Sequence, residues 1–217
     1  MKKISKLLIM SLFMLTLIAI PFNTQAYEAN LIKEIPFNKA TCELRMAERR
    51  LWIDHVGWTR SFIVSDLSNL DDKDKVLQRL LKNQDDIGNS IKPYYGEEAG
   101  NKLTSLLREH IELAGKVTDA AKNNNKSDLE KYNKLWYKNA DEIANFLSSA
   151  NPNYSNEVLK DMLHKHLQFV TDQVVARINK DWQADIDAYD KGEDHMIKFA
   201  DILVDGIIKQ FPEKFNK

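Results

Sequence analysis

No stretch of this chain alternates polar and apolar residues for long enough to argue for a β-strand, whereas from Ala40 onward apolar residues recur at spacings of three, four and seven. A helix turns by ~100° per residue, so this spacing lays the apolar side chains along one face of each segment. The expected fold class is therefore all-α. Only 7 Gly and 5 Pro, against 43% apolar residues, suit packed helices better than a loop-rich or disordered chain.

The pattern predicts six helices around an antiparallel four-helix-bundle core, in a single domain over residues 40–217. The first runs from Ala40 to about Asp66 and carries Leu44, Leu51, Trp52, Trp58 and Phe62. The second, from about Asp72 to Ile91, uses Val76, Leu77, Leu80, Ile87 and Ile91 and stops before Pro93, since proline disfavours helical geometry in the residue preceding it. Tyr94-Tyr95-Gly96 reads as a turn, and the third helix starts at Glu97-Glu98. Ser127 followed by Glu130 has the form of a capping box for the fourth, which buries Leu129, Trp136, Ala140, Ile143, Ala144 and Leu147. The fifth spans about Asn156 to Lys180. The sixth begins near Asp181 and carries Trp182, Ile186, Tyr189, Met196, Phe199, Leu203 and Ile207, with an interruption expected at Gly192. All four tryptophans are expected in the core.

The N-terminus has a different character. Lys2, Lys3 and Lys6 precede an apolar run from Leu7 to Ile20, then Pro21 and a small-residue cleavage site after Ala26. This is the layout of a secretory signal peptide over residues 1–26, followed by an N-terminal arm over residues 27–39. The apolar run is too short for a transmembrane helix to be the better reading. With Cys42 the only cysteine, no lipid-attachment residue follows the run, so a secreted protein without a membrane anchor after signal cleavage is expected.

Removing the three lysines of the signal takes the formal net charge from -1 to -4 for residues 27–217. A mildly acidic chain of mixed charge has no electrostatic reason to bind nucleic acid or an anionic membrane. One cysteine also precludes an intramolecular disulfide or a thiolate metal cluster. There is no Gly-rich phosphate loop, no G-x-S-x-G elbow and no strand-helix alternation, so nucleotide-dependent and α/β-hydrolase chemistries lose their physical basis.

The chemistry-bearing feature is the placement of histidine. His110 lies in the middle of an apolar stripe formed by Leu103, Leu106, Leu107, Leu113, Ala114 and Val117, all within ~60° of it. The same arithmetic turns His55, His166 and His195 inward and His164 outward. Leu51, Leu106 and Met162 stand four residues before His55, His110 and His166, an echo that either duplication of a hairpin or a shared core requirement would produce. Bundles build metal and cofactor sites from side chains on facing helices, and neutral imidazole is the commonest protein ligand for such metals. Glu48 shares the His55 face. His55, His110, His166, His195 and Glu48 are thus the candidate metal ligands, with iron or copper as the candidate ion. The sharpest motifs are absent, however: there is no H-E-x-x-H and no pair of Glu-x-x-His segments. A lone histidine on an apolar face is more often a satisfied core residue, but four buried imidazoles all need partners.

Other inward polar groups define an alternative, a binding module for a small ligand or a partner protein. Arg177 falls near the His166 direction and Gln84 lies on the apolar side of the second helix, so with His110 and Trp58 they would line a pocket. A third alternative is an enzyme using one histidine as general acid or base, its ordinary pKa of ~6.5 suiting that task.

The segments LWIDHVGWTRSFIVS, RLLKNQDDIGNSIKPYYGEEAGNKLTSLLREHI, WYKNADEIANFLSSANPNY and GIIKQFPEKF cover nearly all of the chain after the signal. In them the chain resembles a family of short exported bacterial all-helical proteins without established activity, some of which carry glycosyltransferase-like or kinase-like labels. The resemblance implies a functional set of Asp54, His55, Trp58, Arg60, Asn83, Asp86, His110, His166 and His195, without assigning a role to any of them.

Overall fold

Asn38 starts the first helix by a reciprocal pair of bonds: the Thr41 backbone N–H donates to Asn38 Oδ1, and the Asn38 N–H donates to Thr41 Oγ1, both at 3.0 Å. The structure, a computed structural model, describes residues 35–215. The expected signal peptide, and the expected arm as far as residue 34, lie outside the described residues. Among the described residues five helices follow in order: α1 (Lys39–Leu67), α2 (Lys73–Lys122), α3 (Lys126–Ala150), α4 (Asn156–Ile178) and α5 (Trp182–Gln210), then a short 3-10 turn over Pro212–Lys214. The fold is all-helical, with no strand among the described residues.

The third of the six expected helices is the second arm of α2: the first arm does not stop before Pro93 but runs on through it, and the helical run breaks at Gly96, within the expected Tyr94-Tyr95-Gly96 turn. Gly96 has φ 86° and ψ 171°, which a residue with a side chain does not readily adopt. The chain reverses there. An added Cβ at Gly88 would sit 2.7 Å from the Gly100 carbonyl oxygen, and one at Gly100 would sit 2.6 Å from that of Gly88. The arms of α2 before and after Gly96 therefore lie side by side, backbone against backbone, with Arg108 reaching across to Asp85 at 2.9 Å.

Two further expectations are corrected. Asn125, not Ser127, caps α3, its side chain accepting from the Asp128 N–H at 3.2 Å. α5 runs unbroken through Gly192, because that glycine is buried with Phe169 against it. Packing there outweighs the intrinsic weakness of glycine in a helix.

The main core draws on all five helices, rather than on four. Trp52, Val56 and Ile63 of α1 meet Ile87, Leu103 and Leu106 of α2, Trp136 and Ile143 of α3, Leu159 and Leu167 of α4, and Met196 and Phe199 of α5. Trp52 packs edge-on against Phe199, their ring centroids 5.0 Å apart. Trp182 and Ile186 are exposed at the start of α5, against expectation, with the Arg177 guanidinium over the Trp182 ring. Asp185 between them is buried and takes that inward direction. Among the described residues no helix is long and apolar enough to cross a membrane.

Candidate functional site: a buried histidine cluster

One hydrogen bond recurs in three places and positions the histidines. The Asn83 side-chain amide donates to the Leu51 carbonyl at 2.9 Å, the Asn139 amide to the Leu106 carbonyl at 3.1 Å, and His195 Nε2 to the Met162 carbonyl at 2.7 Å. Each accepting residue stands four before His55, His110 or His166. The sequence separations are 32, 33 and 33 residues. The echo seen in the sequence thus has a structural counterpart, in which three helix pairs are clamped one turn before an inward histidine. The pairs are α1 with the first arm of α2, the second arm of α2 with α3, and α4 with α5.

These clamps bring His55, His110 and His166 together in the interior, each 2–3% exposed. The Nε2 atoms of His55 and His166 face one another at 3.4 Å. His110 lies roughly parallel to His166, with ring centroids 6.2 Å apart. Burial drives all three toward the neutral form. It pushes His55 down to about 3, helped by His110 and opposed by the amide of Gln84, and His110 down to about 4, opposed by Asn139. His166 is held well below its ordinary range by burial and then by its histidine neighbours.

The three rings differ in how their nitrogens are used. The Trp136 indole N–H donates to His110 Nε2 at 3.2 Å, so Nδ1 carries the proton and donates to Asn139 Oδ1 at 2.8 Å. His110 is fully satisfied. In His55 and His166 the Nδ1 atoms are buried without a hydrogen-bond partner, as is Oε1 of Gln84.

The expected five-residue metal shell is not assembled. His110 has no free nitrogen, and His195 is half-buried with Nε2 committed to the Met162 carbonyl. Glu48 precedes His55 by two helical turns, about 10 Å along the axis, and is too far to share an ion with it. Among the described residues no group of three or more His, Cys, Asp or Glu is arranged to hold a metal ion. His164 points outward as expected and pairs with Asp141 at 2.9 Å.

Nor do the ligand candidates form the expected pocket. Arg60 and Arg177 both hold the buried carboxylate of Asp185, at 2.8 Å each. Asp86 pairs with Lys82 on the outer face of α2. Gln84 is wholly buried and donates to the Leu80 carbonyl and to Asn83 Oδ1, at 2.8 and 3.0 Å. Asp54 and Trp58 do come together, in an open groove of about 320 Å³ that they line with Ile53, Gly57, Ser61 and Tyr189. Asp54 is held there by Arg50 at 2.9 Å and Arg79 at 3.4 Å, while the Arg79 guanidinium lies over Trp58.

Sequence reasoning missed Asn139 and Trp136 as partners of His110, and Asp185 as the anchor of two arginines. The recurring K-N-x-D at Lys82–Asp85 and Lys138–Asp141, with a buried asparagine in each, was the available signal. Comparison with family models, with curated proteins and with solved structures gives no match.

Proposed function

We propose that this chain is an exported metal-binding helical protein that holds one copper(I) ion between His55 and His166. The observation that carries the reading is the 3.4 Å between their Nε2 atoms. It exceeds the ~2.9–3.0 Å usual for an N–H donor to its acceptor. Two imidazole nitrogens bound to one ion at ~2.0 Å lie roughly 3.3 Å apart at a tetrahedral angle and roughly 4 Å apart in the linear arrangement a two-coordinate ion prefers, so the pair has to part by only about half an ångström to seat it. Depressed proton affinity keeps both rings in the neutral, ligating form. No carboxylate or thiolate joins them, so a divalent ion would keep its whole charge in a dry interior, while a monovalent ion costs far less to bury. Imidazole is a good donor to copper.

The test is a copper(I) titration against a competing chelator, on protein purified without a histidine tag. One ion per chain is expected, weakened roughly tenfold or more by His55→Ala or His166→Ala and unchanged by His164→Ala. Absence of uptake, or zinc(II) binding more tightly than copper(I), would overturn the reading.

The groove at Asp54 and Trp58 favours a second reading, a module for a small polar ligand that stacks on an aromatic ring. Trp58 and Tyr189 supply ring faces, and Asp54 and Ser61 supply hydrogen-bonding groups. Perturbation of the Trp58 indole resonance by sugars, lost in Trp58→Ala, would support this reading over the first. A general acid or base is the least favoured role for His55, His110 and His166, since a ring 2–3% exposed has no route to a substrate.

A further inference from the structure

Two turns from the histidines, α1 carries a second set of buried polar atoms that nothing in the cluster uses. Glu48 is 2% exposed, and its Oε1 has no hydrogen-bond partner. Trp52, one turn further on, is also 2% exposed, and its Nε1–H has none either. Residues four apart on a helix lie on one face. Both side chains line the same interior cavity of about 20 Å³, whose other walls include Ile87, Leu103, Ile143 and Leu203. Tyr95 and Tyr154 also border it: the Tyr154 hydroxyl donates to the Leu203 carbonyl at 2.6 Å, and the Tyr95 oxygen accepts from the Asn151 amide at 2.8 Å.

We propose that the cavity between Glu48 and Trp52 is a binding site for one small neutral hydroxylic guest, a water molecule, that accepts from the Trp52 indole and donates to the Glu48 carboxyl. Three properties of the cavity select this guest. Its volume exceeds the ~10–15 Å³ a single water needs and falls far short of an engineered ~150 Å³ cavity that admits benzene. The Trp52 indole can only donate and the free Glu48 oxygen can accept, so a guest that bridges the two must both accept and donate. Ammonium has no lone pair for the indole N–H, and chloride, which a protonated carboxyl could meet, is repelled once Glu48 ionises, whereas water serves the carboxyl in either state. The third property is cost. A buried donor or acceptor left unmade costs about 1–3 kcal/mol, and one water satisfies both. The site is separate from the histidine pair, and its occupancy does not depend on metal.

The test is magnetisation transfer from water to the Trp52 indole N–H in ¹⁵N-labelled full-length mature protein, with the resonance assigned by its loss in Trp52→Phe. A cross-relaxation peak of the sign given by a long-lived bound water is expected in the wild type. Glu48→Gln keeps an acceptor oxygen and should keep the peak. Glu48→Leu fills the position with apolar atoms and should lose it. Absence of the peak in the wild type would overturn the proposal whether or not the variants fold. Its persistence in a folded Glu48→Leu would overturn the role of the carboxyl. A shift of the indole resonance on adding ammonium chloride at constant ionic strength would replace the neutral guest with an ion.

Discussion

The side-chain oxygen of Asn139 lies 2.8 Å from Nδ1 of His110, on the opposite side of the ring from the indole of Trp136. One contact fixes the proton on Nδ1 and the other fixes the lone pair on Nε2. His110 is thereby removed from any ligand set, and the His55–His166 pair is left as the part of the cluster with unused capacity.

Breaking this arrangement should be expensive. Asn139→Ala strands the His110 Nδ1–H and leaves the Leu106 carbonyl without its side-chain donor. A loss of about 2–3 kcal/mol in unfolding free energy is expected, read from urea denaturation. Trp136→Phe removes one donor and a ring edge and should cost about 1–3 kcal/mol. A loss below half a kilocalorie for Asn139→Ala would show that the ring does not depend on that partner.

Glu48 should give stability a pH dependence opposite to that of an ion-paired acid. Burial pushes its carboxyl up to about 7, with Ser90 restraining the shift. The folded value lies above the unfolded one, so the native state keeps a proton that the unfolded chain releases. The two states are equally protonated below about pH 4.5, stability then falls as pH rises toward 7, and the loss is constant above. The span corresponds to roughly 3 kcal/mol. Glu48→Gln removes it. The stability of the variant relative to the wild type should therefore rise between pH 4.5 and 7, measured by urea denaturation across that range. A constant difference would contradict the assignment.

The reversal in α2 should tolerate no added methyl group where its arms touch. Gly88→Ala and Gly100→Ala place a Cβ 2.6–2.7 Å from a backbone carbonyl oxygen that cannot rotate away. Each is expected to cost about 1–3 kcal/mol, seen as a lowered thermal midpoint. Gly57→Ala serves as the control, since the nearest atom packed against an added Cβ there is the Tyr189 hydroxyl at 4.0 Å. It should be neutral or slightly stabilising.

Asp185 and Trp182 lie on the same first turn of α5 and should respond oppositely to truncation. Asp185 is 2% exposed beneath Arg60 and Arg177, so Asp185→Ala leaves two half-buried cations without their carboxylate. A loss of about 2–4 kcal/mol is expected. Trp182 is 54% exposed, and Trp182→Ser should change stability by no more than about 0.5 kcal/mol. Chemical denaturation of the two variants side by side checks both.

The inward faces of His55, His110 and His166 were legible because helical phase is a local property, set by the turn per residue. The same arithmetic placed Arg177 near His166 in projection. It could not show that Asp185, eight residues on, would capture the guanidinium at 2.8 Å. Glu48 shares the His55 direction in helical projection, but direction around an axis says nothing about height along it, and the carboxyl belongs to a cavity of its own. Asn139 was passed over because an amide on an apolar face carries no charge to announce it. Its role exists only once His110 stands opposite.

What the sequence by itself determined is the helical fold, the faces that turn inward, and most of the helix boundaries, because these follow from spacing, capping residues and proline within a few residues of each position. Only the tertiary structure decided which histidine nitrogens are spent and which remain free, that the two arms of α2 meet backbone to backbone at Gly88 and Gly100, and that Glu48 and Trp52 share a cavity. Those outcomes depend on the heights at which separate helices meet. Heights are fixed by packing between segments far apart in the chain, where no local pattern records them.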